Sequence, residues 1–596
     1  MSNSTIMASP PLGQNMRARR ADDARQEPTP LLCPAMPENT PPYAPPPTTT
    51  PEGPGDRGTA RFAGDRKMAA GISWRGVLPL LSFVFSCVLP VGQWCLAAPP
   101  EPLSILDSGV RPEEVGRRSY LSYVRECVEV LMRHGTDRYG KVRSPMLMNI
   151  IDVRTRECPA DPLPLDEGYR VIRRGRRGPG GGNLYAELPT MAALVRLARV
   201  TGDDRYRRFA AESSNYTMSN LIDEKGFFWW GWHRHYDAYR DVMTGHAGSP
   251  HEIHIQRVDW PFLWQVNPQA VRREVEAIWQ WHVIDKQTGE VNRHGDGKRG
   301  CDFAMSAGEM IGAFAFLYNK TNDPTWLGRA RLLADYYWQR RHEQTNLIAN
   351  RPNAGTERFD GSHFDTSIAA FLCRGLLDAY EYSGAPLFRE HALAYLTAYA
   401  RYGYDERTGK FWGCLRLDGT PEPGPRVVGG YAQYEPRGHI DLWQPYAAGY
   451  EHPIHTALAY VRAAEMTGSK ELTRAAVRWA EFIQAGLPPA GCLAETWYRE
   501  YAERWAPHGT YAGKYGRTIS FFCRMQRLRG DERYGQVARQ VAADAVSRLH
   551  YKGLFRGHPA KPYYESIDDV GDLLVGLLEL DELTADQASV TRNEPE

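Results

Sequence analysis

From about residue 185 onward, apolar side chains recur at intervals of three and four, in stretches such as AELPTMAALVRLARV and SIAAFLCRGLLDAYEY. That period puts them on one stripe of a helix, and the stripe must be covered by a neighbour. Five turns punctuate the pattern: RVTGDDRYRRFA (199–210), NKTNDPTWLGRA (319–330), EYSGAPLFREHA (381–392), EMTGSKELTRAA (465–476) and RLRGDERYGQVA (527–538). In each, Gly or Asn is placed to end one helix with positive φ, and Asp, Ser or Pro to open the next. A single hairpin cannot hide its apolar stripe, so successive hairpins must pack side by side. The turns are unevenly spaced, and the longest interval, from Gly202 to Asn322, holds histidine-rich loops and a further helix near VRREVEAIWQWHV. An open solenoid would be more regular. The pattern therefore predicts an all-α fold, an α/α toroid of about six or seven helical hairpins. Small β segments are expected in its cleft loops, at GFFWWGWH and KFWGCLRLDG.

The N-terminal stretch is different material. Residues 1–67, with PPYAPPPTTTPEGPG, lack apolar periodicity and cannot bury enough surface to offset ordering entropy. Residues 68–98 have the layout of a secretory signal: Arg75, the apolar run Val77 to Val91, then Ala97-Ala98 before Pro99. The run is shorter than the roughly 20 residues of a comfortable membrane span. Met68 sits just ahead of it, so translation is expected to start there. The expected domains are a disordered leader 1–67, a signal peptide 68–98, a catalytic toroid 99–585 and a disordered tail 586–596. The mature chain is expected to be secreted or periplasmic, with no stable membrane span after signal cleavage.

Over 596 residues, 42% are hydrophobic and 24% charged, as in a soluble globular protein, and the formal charge is only +1. No global field attracts a polyanion, and no nucleic-acid partner is expected. Any acidic ligand must be met by local clusters of Arg and Lys. Beyond the leader, Cys127, Cys158, Cys301, Cys373, Cys414, Cys492 and Cys523 are scattered without a CxxC, so they are expected to be packed thiols with at most an incidental disulfide.

Chemistry concentrates between 227 and 302. WWGWHRHYDAYRD carries His233 and His235, SPHEIHIQ carries His251, Glu252 and His254, and GEVNRHGDGKRGCD sets Arg293 beside His294. Imidazole nitrogens with a carboxylate oxygen suit a divalent transition metal, most simply Mn, Co, Ni or Zn, whereas Ca prefers an all-oxygen shell. HEIH is one residue short of the zincin HExxH and is read differently. Histidines in aromatic loops also serve as ordinary packing residues.

The order of an aromatic-flanked His, then HE-x-H, then an Arg-His pair resembles the family 2 polysaccharide lyases, the pectate lyases with an α/α barrel. The resemblance implies that His233, Glu252 and His294 hold a divalent metal and that Arg293 is the catalytic base. His235 is the other candidate for the first ligand. It also implies an acidic polysaccharide substrate, a polyuronate such as polygalacturonate, cleaved by β-elimination. Candidate substrate-binding residues are Arg234, His235, His254, Tyr434, Arg437, His439, Lys514, Arg517 and Arg556, since aromatic rings stack on pyranose and guanidinium forks pair with carboxylates.

Three other functions compete. A glycoside hydrolase on the same toroid, including an unsaturated uronyl hydrolase, needs two carboxylates, and Asp365, Glu435, Asp441, Glu451 and Glu565 are available. A sugar 2-epimerase would use paired histidines, with His439 and His452 the obvious pair. A non-catalytic glycan-binding protein would tolerate loss of any one clustered histidine.

Overall fold

The structure, a computed structural model, describes residues 110, 112–159, 181–231, 233–245, 250–253, 257–352, 363–424, 435–443, 451–488, 509–559 and 561–592. The expected leader and signal (1–98), the candidates His254 and Tyr434, and Cys492 lie outside the described residues.

After a short helix α1 (Pro112–Val115), the helices run α2 (Tyr120–His134), α3 (Leu184–Thr201), α4 (Arg205–Asn220), α5 (Trp260–Val266), α6 (Pro268–Trp281), α7 (Ala304–Thr321) and α8 (Pro324–Trp338). They continue with α9 (Cys373–Ser383), α10 (Pro386–Tyr402), α11 (Pro453–Thr467), α12 (Lys470–Ala485), α13 (Ala512–Arg529), α14 (Glu532–Leu549) and α15 (Val570–Arg592). Helix α15 continues past residue 585, the expected domain end, because ELTADQASVTR contains neither Gly nor Pro to stop it.

Two kinds of helix alternate. Helix α7 is buried continuously from Ala304 to Leu317, whereas α6 buries one stripe, Ala270, Val271, Glu274, Val275, Ala277 and Ile278. The first kind lies inside and the second outside. Among the inner helices, α3 packs on α15, α15 on α13, α13 on α11, α11 on α9, α9 on α7 and α7 on α5. Residues of α3 and α5 line the same central cavity of about 370 Å³, which completes the circuit. Each inner helix carries an outer partner: α4 on α3, α6 on α5, α8 on α7, α10 on α9, α12 on α11, α14 on α13 and α2 on α15. Among the described residues this is a toroid of seven hairpins, the last made from the first outer and the last inner helix. The pairing of Ile150–Asp152 with Tyr563–Glu565 also ties the two ends of the chain together.

The five expected turns form as read. Gly202, Asn322, Gly384, Gly468 and Gly530 end their helices in the left-handed region, at φ between 55° and 70°. Asp323, Ser469 and Asp531 accept backbone N–H bonds at the next helix start, and Pro386 occupies the first turn of α10. The hairpin of α5 and α6 uses no glycine: Asn267 ends one helix and its side chain caps the other, accepting from Ala270 N–H. Inner helices touch through glycines. A Cβ on Gly375 of α9 would lie 2.0 Å from the carbonyl oxygen of Gly308 in α7, so the two backbones are in direct contact.

The β segments are small, as expected, but one is displaced. Residues 226–231 and 233 are bends and irregular backbone, apart from the bridge of Phe228 with Ile222, and the strand is Arg234–Asp237, between Gly181–Gly182 and Val242–Gly245. Lys410–Phe411 and Cys414–Leu415 are strands as anticipated. Cys127, Cys158, Cys301, Cys373, Cys414 and Cys523 are buried free thiols. Among the described residues, no helix is long and apolar enough to cross a membrane.

Candidate active site

The loops leading into the N-terminal ends of inner helices share one rim of the toroid, and the candidate ligands sit there ahead of α5 and α7. Glu252 and His294 face each other across an antiparallel bridge. Ile253 N–H donates to the Arg293 carbonyl (3.0 Å) and Gly295 N–H to the His251 carbonyl (2.9 Å), so backbone bonds set the two side chains next to each other. Asn292 stiffens the loop: its Oδ1 accepts the His294 N–H (2.7 Å) and its Nδ2 donates to Asp296 and the Lys298 carbonyl.

His233 arrives from a third segment through a sharp bend. Gly231 adopts φ of +110°, and a Cβ there would stand 3.2 Å from the Glu252 carbonyl oxygen, so only glycine permits this approach. The Asn183 side chain donates to the Gly231 and Arg234 carbonyls (2.7 and 3.0 Å), fixing the bend from the N-cap of α3. The extended segment that would turn His233 and His235 the same way begins only at Arg234, which separates their roles.

Among the described residues, His233, Glu252 and His294 each offer a ligand atom within 4.8 Å of the others, and all three are buried. His233 Nε2 lies 2.9 Å from Glu252 Oε2, and His294 Nε2 lies 3.4 Å from Glu252 Oε1. Arg293 Nε stands 3.3 Å from the same Oε1, and its guanidinium lies 4.4 Å above the Phe303 ring. Burial acts to raise the Glu252 pKa, but Arg293, His233 and His294 outweigh it and hold the carboxyl well below its usual range. Burial lowers the His294 pKa against the pull of Glu252, so the ring is a neutral nitrogen donor. His294 Nδ1 is buried without a hydrogen-bond partner among the described residues. Two neutral-capable imidazoles, an ionised carboxylate and an unused buried nitrogen fit a divalent transition metal.

The remaining candidates are spread over the molecule. Arg234 is buried in an ion pair with Asp223 (2.9 Å), 4.4 Å over the Trp229 ring. His235 is buried in the strand and outside the ligand group. Arg437 lies between Glu422 and Glu435 (3.7 and 3.5 Å), and His439 stacks on Trp412 and bonds Asp405 (3.0 Å). Lys514 lies in the first turn of α13. Arg517 pairs with Asp569 and Asp572 and faces the central cavity. Arg556 is buried and donates to the Pro559 carbonyl at 2.9 Å and to the Arg548 carbonyl at 2.5 Å. Of the competing carboxylates, Asp365 is held by Asn350 and Ser367, and Glu435 by His363 at 3.2 Å. His452 packs with His455 against Phe371, in surroundings unlike those of His439.

Further side chains surround the group. Phe303 carries a second guanidinium, that of Arg351, 5.2 Å from its ring. His251, His282 and Glu274 form a buried chain behind the ligands. Glu274 and His282 carry no local mark, since they belong to an ordinary amphipathic helix and its end, whereas His251 adjoins Glu252 in SPHEIHIQ.

Comparison with known proteins bears on this segment. Residues 183–305, which include Asn183, His233, Glu252, Arg293 and His294, match a family described as periplasmic pectate lyase. A pectate disaccharide-lyase from Dickeya dadantii (strain 3937) is 29% identical over 117 residues, 19% of this chain and 22% of that protein. The chain thus aligns with about a fifth of this relative's length. Among solved structures, a family 76 glycoside hydrolase from a bovine Bacteroides thetaiotaomicron strain is 10% identical, with a TM-score of 0.41 over 79% of each chain. The cellobiose 2-epimerase of Bacillus thermoamylovorans B4167 is 9% identical, with a TM-score of 0.42 over 78% of this chain and 99% of that one. The segment that builds the candidate site is similar to the pectate lyases, the same family its His, Glu and Arg-His order resembles.

Proposed function

We propose that the chain is a metal-dependent polysaccharide lyase that cleaves a polygalacturonate-like chain by β-elimination. The observation that carries this reading is the buried His233–Glu252–His294 group with Arg293 against its carboxylate. His233, Glu252 and His294 would hold the cation, Mn, Co, Ni or Zn by the donor set rather than Ca. When bound, the cation supplies Lewis acidity to the substrate carboxylate and offsets the negative charge of Glu252.

The protein's own residues do the rest. Elimination removes the proton on C5 of a uronate, the C5–H pair becomes the C4–C5 double bond, and the C4–O bond breaks with its pair on the departing oxygen. Arg293 is the proton acceptor in this reading, through a guanidinium nitrogen. Free guanidinium is always protonated, so its surroundings must disfavour the charged form. Burial works in that direction, and Glu252 at 3.3 Å works against it for as long as its charge is unshared. Phe303 limits the rotation of the guanidinium and keeps water from that side. Asn292 and Gly231 fix the approach of His294 and His233.

Export is proposed on the 68–98 segment. The test of the reaction class is mass spectrometry of fragments released from polygalacturonate. Each elimination leaves one fragment with an unsaturated non-reducing end, lighter by one water than a hydrolytic fragment of equal length, and cleavage that yields no such fragments would reject the proposal.

A further inference from the structure

Behind the metal-ligand group lies a row of buried polar side chains whose hydrogens can be assigned from their partners. His282, at the end of α6, has Nδ1 2.7 Å from the Asn292 carbonyl oxygen. A carbonyl only accepts, so Nδ1 carries the hydrogen. The His282 ring is buried, and burial lowers its pKa well below the usual value. A neutral ring so protonated presents a lone pair at Nε2. Facing that lone pair at 2.7 Å is His251 Nδ1, which must donate. The His251 ring is itself buried, stacked 3.9 Å from Phe227, and as a neutral ring it presents a lone pair at Nε2.

Two groups stand at that last lone pair, Trp230 Nε1 at 2.9 Å and Glu274 Oε1 at 3.1 Å. A carboxylate oxygen against a lone pair is repulsive, whereas a carboxylic acid donates its O–H there. Trp230 N–H also reaches Glu274 Oε1 (3.0 Å), and Phe228 N–H donates to Oε2 (2.6 Å). With Glu274 as the acid, every group in the row has a compatible partner. Burial, which pushes the Glu274 carboxyl up to about 8, agrees with that assignment. The alternatives with the same number of protons, a carboxylate on Glu274 with an imidazolium on His251 or on His282, both put a hydrogen on His251 Nε2, against the Trp230 N–H at 2.9 Å, and both hold separated charge in a buried site.

The row spans the two segments that carry the ligands. His251 precedes Glu252, and its carbonyl accepts the Gly295 N–H; Asn292 precedes Arg293, and its side chain accepts the His294 N–H. We propose that Glu274, as its carboxylic acid, is a positioning residue that holds Glu252 and His294 in register through the hydrogen-bonded row Glu274–His251–His282–Asn292. This rests on the reading of His233, Glu252 and His294 as metal ligands.

The experiment compares Mn²⁺ and Zn²⁺ affinity of the wild type, Glu274→Gln and Glu274→Ala, alongside histidine-selective ¹⁵N spectra of the metal-free wild type at neutral pH. Gln keeps both a donor toward His251 Nε2 and an acceptor for Phe228 N–H. Glu274→Gln is expected to bind metal within about 3-fold of the wild type, and Glu274→Ala about 10- to 100-fold more weakly. His251 and His282 are expected as neutral rings protonated at Nδ1. An Nε2–H tautomer or an imidazolium at either position overturns the proposal, as does unchanged metal affinity in Glu274→Ala or a loss in Glu274→Gln equal to that of Ala. If the wild type takes up no metal, the ligand reading fails, and the tautomers still decide the role of Glu274. If the Ala variant does not fold, the Gln variant and the spectra decide it.

Discussion

Arg293 Nε lies 3.3 Å from Glu252 Oε1, so the residue read as base and the carboxylate read as ligand are partners in one buried ion pair. Without a cation, the pair keeps Arg293 charged and Glu252 ionised. The two roles are coupled: whatever engages the Glu252 carboxylate also weakens its hold on the guanidinium.

Glu252→Ala tests the carboxylate. It removes one ligand and leaves Arg293 buried without this counter-charge, which costs about 3–5 kcal/mol for a buried pair broken on one side. Metal affinity is expected to fall by at least about 100-fold, with a lower thermal midpoint. Metal titration and calorimetry on the same preparation check both. Unchanged metal affinity would remove Glu252 from the ligand set.

Arg293→Ala and Arg293→Lys test the base. Both are expected to retain the metal and to lose about 1,000-fold in turnover, within the usual range for removal of a general base. Metal content by elemental analysis, beside initial rates on polygalacturonate, separates a chemical loss from a binding loss.

Much of the scaffold was legible in the sequence. All five Gly or Asn turns sit where composition placed them, because positive φ at a helix end leaves few alternatives. The α5–α6 hairpin carried no such mark, since Asn267 does both capping jobs without a glycine. Within the site, adjacency singled out Glu252, Arg293 and His294 as candidates, and the resemblance to family 2 polysaccharide lyases supplied their expected roles. The choice of His233 over His235 depended on the bend at Gly231, a tertiary contact with the Glu252 backbone that no local pattern records. The partners of two candidate cations were not legible either: Arg234 has a buried counter-ion in Asp223, and Arg556 donates to the Pro559 carbonyl. Glu274 was hidden because a charged residue on an amphipathic helix reads as part of its solvent face, while this one belongs to the buried stripe.

Stability should depend on pH in a way set by buried carboxyls. Burial pushes Glu187, Glu309 and Asp365 up to about 7 and Glu274 up to about 8. Between their unfolded and folded pKa values the folded state binds more protons, so their contribution is full at low pH and is lost as pH rises through 7 to 8. Burial lowers His391 to about 4 and His452 to about 3, and these act oppositely, but only below the unfolded value of 6.5. Between pH 6.5 and 8 the metal-free protein should therefore lose stability, and Glu274→Gln should flatten part of that descent. Denaturant midpoints across this range check it.

Gly375→Ala tests the inner ring. The new Cβ would meet the Gly308 carbonyl at 2.0 Å, backbone against backbone, so α7 and α9 must separate. A loss of about 2–3 kcal/mol is expected from overpacking, measured by chemical denaturation.

The most direct measurement follows near-ultraviolet absorbance during incubation of the purified protein with polygalacturonate, with and without EDTA and then with Mn²⁺ or Zn²⁺ restored. An unsaturated chromophore that grows with time, stops on chelation and resumes on readdition is expected. Steady chain cleavage with no chromophore, or a chromophore that grows equally fast in EDTA from protein shown to be free of metal, would contradict metal-dependent elimination at His233, Glu252, Arg293 and His294.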